Sequence, residues 1–333
     1  MKKGTLILRS RLNLLKPFIE GCSLSTIRTW QDRIGKLMAA SHKDDVSFDD
    51  FTIGDLPACM VKPHDEVNAG VILYLHGGGY TCGDLDYAKG CAAILAARCG
   101  MRVLCVAYRL APEAPFPAAL DDAEDAYGYL LSGGYAPDQI LLCGESAGGG
   151  LCYALCLQLA AKGRTMPAGI LAISPWVDLT GTASSYQANE RSDPLLTAER
   201  LKYFADCYVY GADTQKSTAK STYPKTCLDK DQDYAAKSAP LVSPLFADLA
   251  CMPPSLIFAG GAEILLDDAT SLHHTLTEAG AQSELGVTPD MWHAYVFYCL
   301  KEYDRDFSRI RKFIKTRIPH QKKLRWMALD NAA

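Results

Sequence analysis

The fold of this chain is decided by one stretch, Ile140-Leu141-Leu142-Cys143-Gly144-Glu145-Ser146-Ala147-Gly148-Gly149-Gly150. Its four apolar residues predict a strand buried on both faces, and the segment 151–161 that follows predicts a helix. A Gly-x-Ser-x-Gly pattern between a strand and a helix is typical of a tight turn that lifts the serine hydroxyl above a sheet. Glycines two residues to either side leave room for that turn. Ser146 is therefore the candidate nucleophile.

Further apolar runs along the chain predict the rest of the sheet. They are Val71–Leu75, Val103–Ala107, Ile170–Ile173 and Leu256–Ala259. Unbroken runs of four or five apolar residues are typical of parallel strands that are covered on both faces. Helical segments are predicted between these runs, for example at 88–98. The alternation predicts an α/β fold, a mostly parallel central sheet flanked by helices.

The chain divides into three predicted parts. Residues 1–45 are predicted to be helical, with a second amphipathic stretch at about 25–38. Residues 46–318 are predicted to form the α/β domain, with an insertion at about 180–240 that interrupts the alternation. The insertion is polar and helix-poor, which predicts a solvated loop or lid. Residues 319–333 form a short basic tail.

Composition excludes several classes of partner. The chain has 333 residues, of which 49% are hydrophobic, and a net charge of -4. This length allows a large buried core, and the mild acidity gives no reason to expect nucleic acid or an anionic membrane. No apolar run approaches the ~18 residues of a membrane span.

The cysteines indicate a compartment. There are 13 of them, an odd number in a long chain, and most lie in apolar runs. Buried free cysteine behaves as a small hydrophobic residue, so we expect free thiols in a reducing compartment, the cytoplasm. No CxxC pair with zinc-type spacing is present, and no metal site is predicted.

A second glycine-rich motif follows the strand at 71–75. It reads His76-Gly77-Gly78-Gly79-Tyr80. Acyl transfer builds negative charge on a carbonyl oxygen, and backbone N–H groups usually stabilise that charge. Three glycines after a strand can turn several amides toward one point. The candidate oxyanion-hole donors are the amides of Gly78, Gly79 and Ala147.

The candidate base is a histidine near the end of the chain. In hydrolases with a Gly-x-Ser-x-Gly turn, the serine comes first, the acid second and the histidine last. Seven histidines are present, and His293 alone lies in a loop directly after a predicted final strand, at 283–287. The others belong to the N-terminal part, the glycine-rich loop, a helix or the tail.

The candidate acids lie in the loop after the strand at 256–259. They are Glu263, Asp267 and Asp268. Glu263 is nearest the strand end, and a carboxylate there can orient an imidazole and stabilise its cation. The two aspartates begin a helical segment, where acids often serve only as N-terminal charges. We prefer Glu263, with Asp267 as the second candidate.

Taken together, these motifs resemble the hormone-sensitive lipase family of esterases, also called bacterial family IV. The segment 76–79 looks like the family's HGGG motif, and 144–149 is similar to its G-D/E-S-A-G-G motif. Two further stretches resemble family signatures, the segments 108–122 and 174–179. The resemblance extends from about residue 25 to 316.

The resemblance implies an α/β-hydrolase fold with a helical cap made from the N-terminal helices and the insertion. The insertion looks about twenty residues longer than usual, at about 214–234. The family's acid is commonly the first Asp of D-P-L-R-D, which aligns with Glu263, thirty residues before His293. This chain departs from the family in that residue type.

The implied activity is that of a serine carboxylesterase that hydrolyses short- to medium-chain acyl esters through an acyl-enzyme, with no cofactor and no metal. Two alternatives stay open. One is an acyltransferase on the same acyl-enzyme, and the other is a non-catalytic, receptor-like ligand-binding homologue. The expected substrate is a small-molecule ester, whose identity the sequence does not give. A homodimer is possible, and the sequence does not decide the oligomeric state.

Overall fold

The computed structural model describes residues 3–211, 230–298, 300 and 304–318. Most of the predicted long insertion at 214–234 and the whole tail at 319–333 lie outside these residues. Ten α-helices are present in the described ranges: α1 Lys3–Glu20, α2 Leu24–Ser41, α3 Leu85–Cys99, α4 Ala118–Ser132, α5 Ala147–Ala161, α6 Ser185–Ala188, α7 Ala198–Tyr210, α8 Lys230–Lys237, α9 Leu266–Glu278 and α10 Asp304–Arg317. None of these helices is long and apolar enough to cross a membrane.

Eight strands form one sheet. They are β1 Val46–Ile53, β2 Leu56–Pro63, β3 Val71–Leu75, β4 Arg102–Val106, β5 Ile140–Glu145, β6 Gly169–Ile173, β7 Ser255–Gly260 and β8 Ser283–Thr288. Their order is β1-β2-β4-β3-β5-β6-β7-β8, and pairing is parallel from β4 to β8. The predicted α/β fold with a mostly parallel sheet is confirmed.

Helices cover both faces of the sheet. One core cluster joins the sheet to α4, α5 and α9, and a second joins the opposite face to α3 and α10. Because both faces are covered, every residue of β3, β5, β6 and β7 is buried. This arrangement explains why those strands are continuous apolar runs in the sequence.

The apolar runs did not predict the first two strands. β1 and β2 form an antiparallel hairpin at one edge, in which Ile53 pairs with Leu56 around a two-residue turn. Gly54 in that turn has φ +57°, a conformation that glycine adopts without strain. β1 has one solvated face, so its apolar residues are interspersed with polar ones and form no continuous run.

The prediction that the insertion is helix-poor is wrong for its described part. α7 is a helix of 13 residues, and the Thr197 hydroxyl caps it by accepting the Arg200 amide at 3.2 Å. Leu201 and Phe204 of α7 are buried in the main core cluster. Their burial stabilises a helix within a segment whose average composition is polar, because an amphipathic helix needs only one apolar face.

The two predicted N-terminal helices are present as α1 and α2. α2 packs closely on α3, since a Cβ at Gly35 would lie 2.3 Å from the Tyr87 Cα atom. α1 is held by side chains that reach backbone carbonyls: Arg9 donates to Ser192 and Asp290, and Lys16 donates to Glu190 and Asp193. These contacts hold α1 against the segments that follow β6 and β8.

Candidate active site

Ser146 occupies the turn between β5 and α5. Its φ of 55° and ψ of -124° lie in a sparsely populated region for a residue with a side chain. Such a conformation costs on the order of 1–3 kcal/mol and persists only where the surroundings enforce it. Gly148 is part of that enforcement, because a Cβ there would lie 2.0 Å from the Leu75 carbonyl oxygen. The strand-turn-helix predicted around the serine is therefore present.

A cavity of about 760 Å³ opens above this turn. Its walls are mostly apolar, and they include Leu12 of α1, Trp30 of α2 and Phe204 of α7. Ser146, His293 and the loop residues Gly78 and Gly79 line the same cavity. A concave apolar site with a few convergent polar groups is the usual form of a small-molecule site. The structure thus brings four of the predicted site residues to one cavity.

The glycine-rich loop is a tight turn beneath the cavity. The amides of Thr81 and Cys82 both donate to the Gly78 carbonyl, at 3.1 and 2.9 Å. Gly78 and Gly79 have φ values of +120° and +62°, and their own amides meet no acceptor within the described ranges. Ala147 begins α5, where the first amides of a helix lack an intrahelical acceptor. None of the three predicted donor amides therefore has an acceptor in the described residues, and Gly78 and Gly79 also line the cavity.

His293 faces Glu263 across the ends of β7 and β8. Nδ1 of His293 lies 3.5 Å from Oε2 of Glu263, and both side chains are almost completely buried. This distance exceeds a normal hydrogen bond, but catalytic hydrogen bonds are often long before a substrate is bound. The preferred acid and the candidate base are therefore adjacent.

The two alternative acids face other groups. The Asp267 carboxylate accepts the Ser185 amide at 2.8 Å. The Asp268 carboxylate accepts the amides of Val177 and Asp178, both at 3.0 Å. Both aspartates thus bind backbone N–H groups of the segment after β6.

Comparison with known proteins agrees with the α/β fold. A family model described as the alpha/beta hydrolase fold matches residues 72–297. An acetyl-hydrolase from Streptomyces hygroscopicus is 34% identical over 267 residues, which cover 80% of this chain and 81% of that protein. An esterase from Acinetobacter venetianus is 33% identical over 228 residues, 68% of each chain.

A solved structure extends the match to nearly the whole chain. It is a crystal structure of an esterase from the bacterial hormone-sensitive lipase family, with a TM-score of 0.79 and 33% identity. The match covers 93% of this chain and 98% of that one. The chain belongs to the hormone-sensitive lipase family of α/β-hydrolases. As a member of this family it is a carboxylic ester hydrolase, and the predicted resemblance is confirmed.

Two polar residues beside the candidate acid, Glu263, had no predicted role. The Ser174 hydroxyl donates to Oε2 of Glu263 at 2.6 Å and accepts the Ala294 amide at 3.0 Å. Asp193 is fully buried, and its Oδ2 accepts the Ile264 amide at 3.0 Å. Ser174 lies in a stretch that carries the family resemblance, and Asp193 lies in the insertion, so only the folded chain reveals these contacts.

Burial and charge shift the pKa values of the candidate acid and the candidate base. Burial raises the pKa of Glu263 above its usual value, against the lowering effects of His293 and Ser174. Burial alone would lower the pKa of His293, but Glu263, with smaller contributions from Asp193 and Glu145, outweighs it and raises that pKa. The raised pKa means that the surroundings stabilise the protonated form of His293, which is the form that a general base adopts when it takes a proton.

His76 of the glycine-rich loop has a different environment. Its ring is buried and stacks on Tyr108 with the ring centres 4.1 Å apart, and its Nδ1 lies 2.7 Å from the Gly77 carbonyl. Burial lowers its pKa to about 4, so the ring is neutral at neutral pH. In the part of the chain that the structure describes, no group of three His, Cys, Asp or Glu side chains is placed to hold a metal ion.

Proposed function

We propose that this hydrolase cleaves esters by a serine mechanism, with Ser146 as nucleophile and His293 as general base. The observation that carries the proposal is the strained turn that presents Ser146 to the cavity lined also by His293. A neutral imidazole would take the hydroxyl proton as the oxygen attacks the ester carbonyl.

Glu263 would act as the acid of the triad. A carboxylate next to Nδ1 fixes the tautomer of the imidazole and stabilises the cation that forms during attack. The 3.5 Å approach of Oε2 supports this assignment over Asp267, whose carboxylate accepts the Ser185 amide. The amides of Gly78, Gly79 and Ala147 would stabilise the oxyanion.

The reaction would then proceed in two halves. The tetrahedral intermediate collapses with loss of the alcohol, which receives the proton from His293, and the acyl group stays on the Ser146 oxygen. Water attacks this acyl-enzyme while His293 takes a water proton. The second tetrahedral intermediate then collapses, the Ser146 oxygen takes that proton from His293, and the carboxylic acid leaves. The mechanism as proposed uses side chains, backbone amides and water.

A cap over the serine would select the acyl chain. We assign it to residues 1–45 and the insertion at about 180–240, on the core domain of residues 46–318. Leu12 and Trp30 from the first part and Phe204 from the second line the cavity, which supports this division. A similar protein named as an acetyl-hydrolase favours short- to medium-chain esters.

The chain-length proposal is tested with p-nitrophenyl esters from acetate to palmitate. We expect the highest kcat/KM between acetate and octanoate, with a steep loss for longer chains. A maximum at palmitate would contradict the short- to medium-chain assignment. Vinyl esters of the same acids serve as a control for the leaving group, because they replace p-nitrophenol and keep the same acyl chains.

Two further experiments separate the alternatives. A fluorophosphonate probe is expected to label Ser146, whereas a non-catalytic, receptor-like homologue would not react. Product analysis with added alcohol separates the hydrolase from an acyltransferase. We expect free acid as the main product, and predominant transfer to the alcohol would contradict the proposal.

We also propose a cytoplasmic location. Nine of the eleven cysteines in the described ranges are buried free thiols, which supports a reducing compartment. Cell fractionation tests the location. A homodimer stays a prediction, and light scattering of the purified protein tests it.

A further inference from the structure

Glu145, the residue before Ser146, is a buried carboxylate with no role in the mechanism above. It is the last residue of β5 and is 1% exposed. Its side chain reaches the start of the glycine-rich loop, where Oε1 accepts the Gly77 amide at 2.6 Å. The Tyr87 hydroxyl donates to Oε1 at 3.1 Å, and the Tyr74 hydroxyl donates to Oε2. Three donors thus converge on one carboxylate.

The contact with Gly77 depends on close approach. A Cβ at Gly77 would lie 2.8 Å from Oε1, so the loop backbone comes nearer to the carboxylate than a side chain would permit. The next two residues, Gly78 and Gly79, carry the free amides. Because their directions follow from the position of Gly77, the bond to Glu145 orients the amides that face the cavity.

The charge of Glu145 also acts on the base. Glu145 is among the carboxylates that raise the pKa of His293, together with Glu263 and Asp193. Glu145 and His293 line the same cavity. A negative charge here stabilises the imidazolium that forms when the base takes a proton.

We propose that Glu145 is a positioning residue for ester hydrolysis. Its carboxylate fixes the glycine-rich loop through Gly77, and its negative charge stabilises the protonated form of His293. This inference rests on the proposed serine mechanism and adds a second anion to it. Glu263 supports the base at Nδ1, and Glu145 supports the donors on the other side of the serine.

The protonation of Glu145 gives the proposal a pH dependence. Burial raises its pKa to about 7, against the lowering effects of Tyr74, Gly77 and Tyr87. The titratable groups that face it on the surrounding elements are Tyr74, Tyr87, Tyr108, Cys143, Cys152 and His293. Burial raises the pKa of each of these tyrosines and cysteines, so they stay neutral near pH 7, and His293 is the group whose charge Glu145 can stabilise.

Two variants separate the two roles. Glu145→Gln keeps the length of the side chain and removes the charge. Glu145→Asp keeps the charge and shortens the reach to Gly77. Both are compared with the wild type for kcat, KM and the pH dependence of kcat/KM, on a p-nitrophenyl ester of the preferred length.

In Glu145→Gln we expect the acid limb of kcat/KM to move to lower pH, because His293 loses a stabilising negative charge. In Glu145→Asp we expect the limb to stay nearer that of the wild type. In Glu145→Asp kcat is expected to fall by roughly 10- to 100-fold, the loss that misplacement of a catalytic group by about 1 Å can cause, because the shorter side chain no longer reaches the Gly77 amide. KM should change little, because the bond to Gly77 orients donors and does not contact the substrate.

A merely structural role predicts a different result. Wild-type kcat in the folded Glu145→Asp protein, or an unmoved acid limb in the folded Glu145→Gln protein, would overturn the proposal, even if the urea midpoint were lower. Failure of the serine mechanism is recognised separately, by the absence of fluorophosphonate labelling at Ser146 in the wild type.

Discussion

The Ser174 hydroxyl donates a 2.6 Å hydrogen bond to Oε2 of Glu263, the carboxylate oxygen that also faces His293. Ser174 follows β6 and has φ 47°, so the chain bends sharply where it meets the acid. The same hydroxyl accepts a hydrogen bond from the amide of Ala294, the residue that follows His293. One side chain therefore joins the loops that carry Glu263 and His293, the proposed acid and base.

Removing this hydroxyl should destabilise the protein. In Ser174→Ala the buried Glu263 carboxylate loses a donor, and hydrogen bonds to charged groups contribute about 1.5–3 kcal/mol. We expect the free energy of unfolding in urea to fall by that amount. The exposed Ser41→Ala is the matched control and should lie near the wild type. Equal stability of the two variants would contradict the role given to Ser174.

The choice between the two acids can be tested directly. Glu263→Gln should lower kcat by roughly 10⁴-fold, the order of loss when a triad carboxylate becomes an amide. Asp267→Asn removes the negative charge that caps the Ser185 amide and should leave kcat close to the wild type. The reverse ranking in steady-state kinetics would assign the acid to Asp267.

The pH dependence follows from the environment of His293. A base acts when it is unprotonated, and the pKa of His293 lies above the usual 6.5 because Glu263 outweighs the effect of burial. Activity should therefore be lost as the pH falls, with half-maximal kcat/KM above pH 6.5. An acid limb below that value would show that the imidazolium is not stabilised.

The turn around Ser146 should not tolerate a larger residue at Gly148. In Gly148→Ala the new Cβ would meet the Leu75 and His76 carbonyls at 2.0 and 2.5 Å. We expect a loss of about 3 kcal/mol or more in unfolding free energy, the upper range for over-packing. Gly128→Ala is the control, since its Cβ meets nothing within 4 Å in helix α4, and it should stabilise by up to about 1 kcal/mol. Similar stabilities for both variants would contradict the close packing of α5 on β3.

Much of the fold was predictable because its signals are local. The strand, turn and helix around Ser146 lie within 22 consecutive residues, from Ile140 to Ala161. Their apolar runs and glycines reflect burial on both faces and close backbone approach. The β1–β2 hairpin was missed because β1 has one solvated face and no continuous apolar run. Helix α7 was missed because its apolar face lies in a segment of polar composition.

The site was predictable only for residues that motifs mark. Ser146 and the glycine-rich loop have distinctive patterns, and His293 was selected by its place after the last strand. Ser174 binds Glu263, which lies 89 residues later in the chain. Asp193 binds the amide of Ile264, which lies 71 residues later. Such contacts depend on how β6 and the insertion pack, which local pattern does not encode.

The formation of the acyl-enzyme on Ser146 is best tested by the hydrolysis of p-nitrophenyl butyrate by the Ser146→Ala variant. Removal of the nucleophile should lower kcat by about 10⁶-fold, while the folded state is retained because the hydroxyl makes no hydrogen bond to the described residues. A residual rate near background would support the account. Turnover by Ser146→Ala at a rate close to that of the wild type would contradict it.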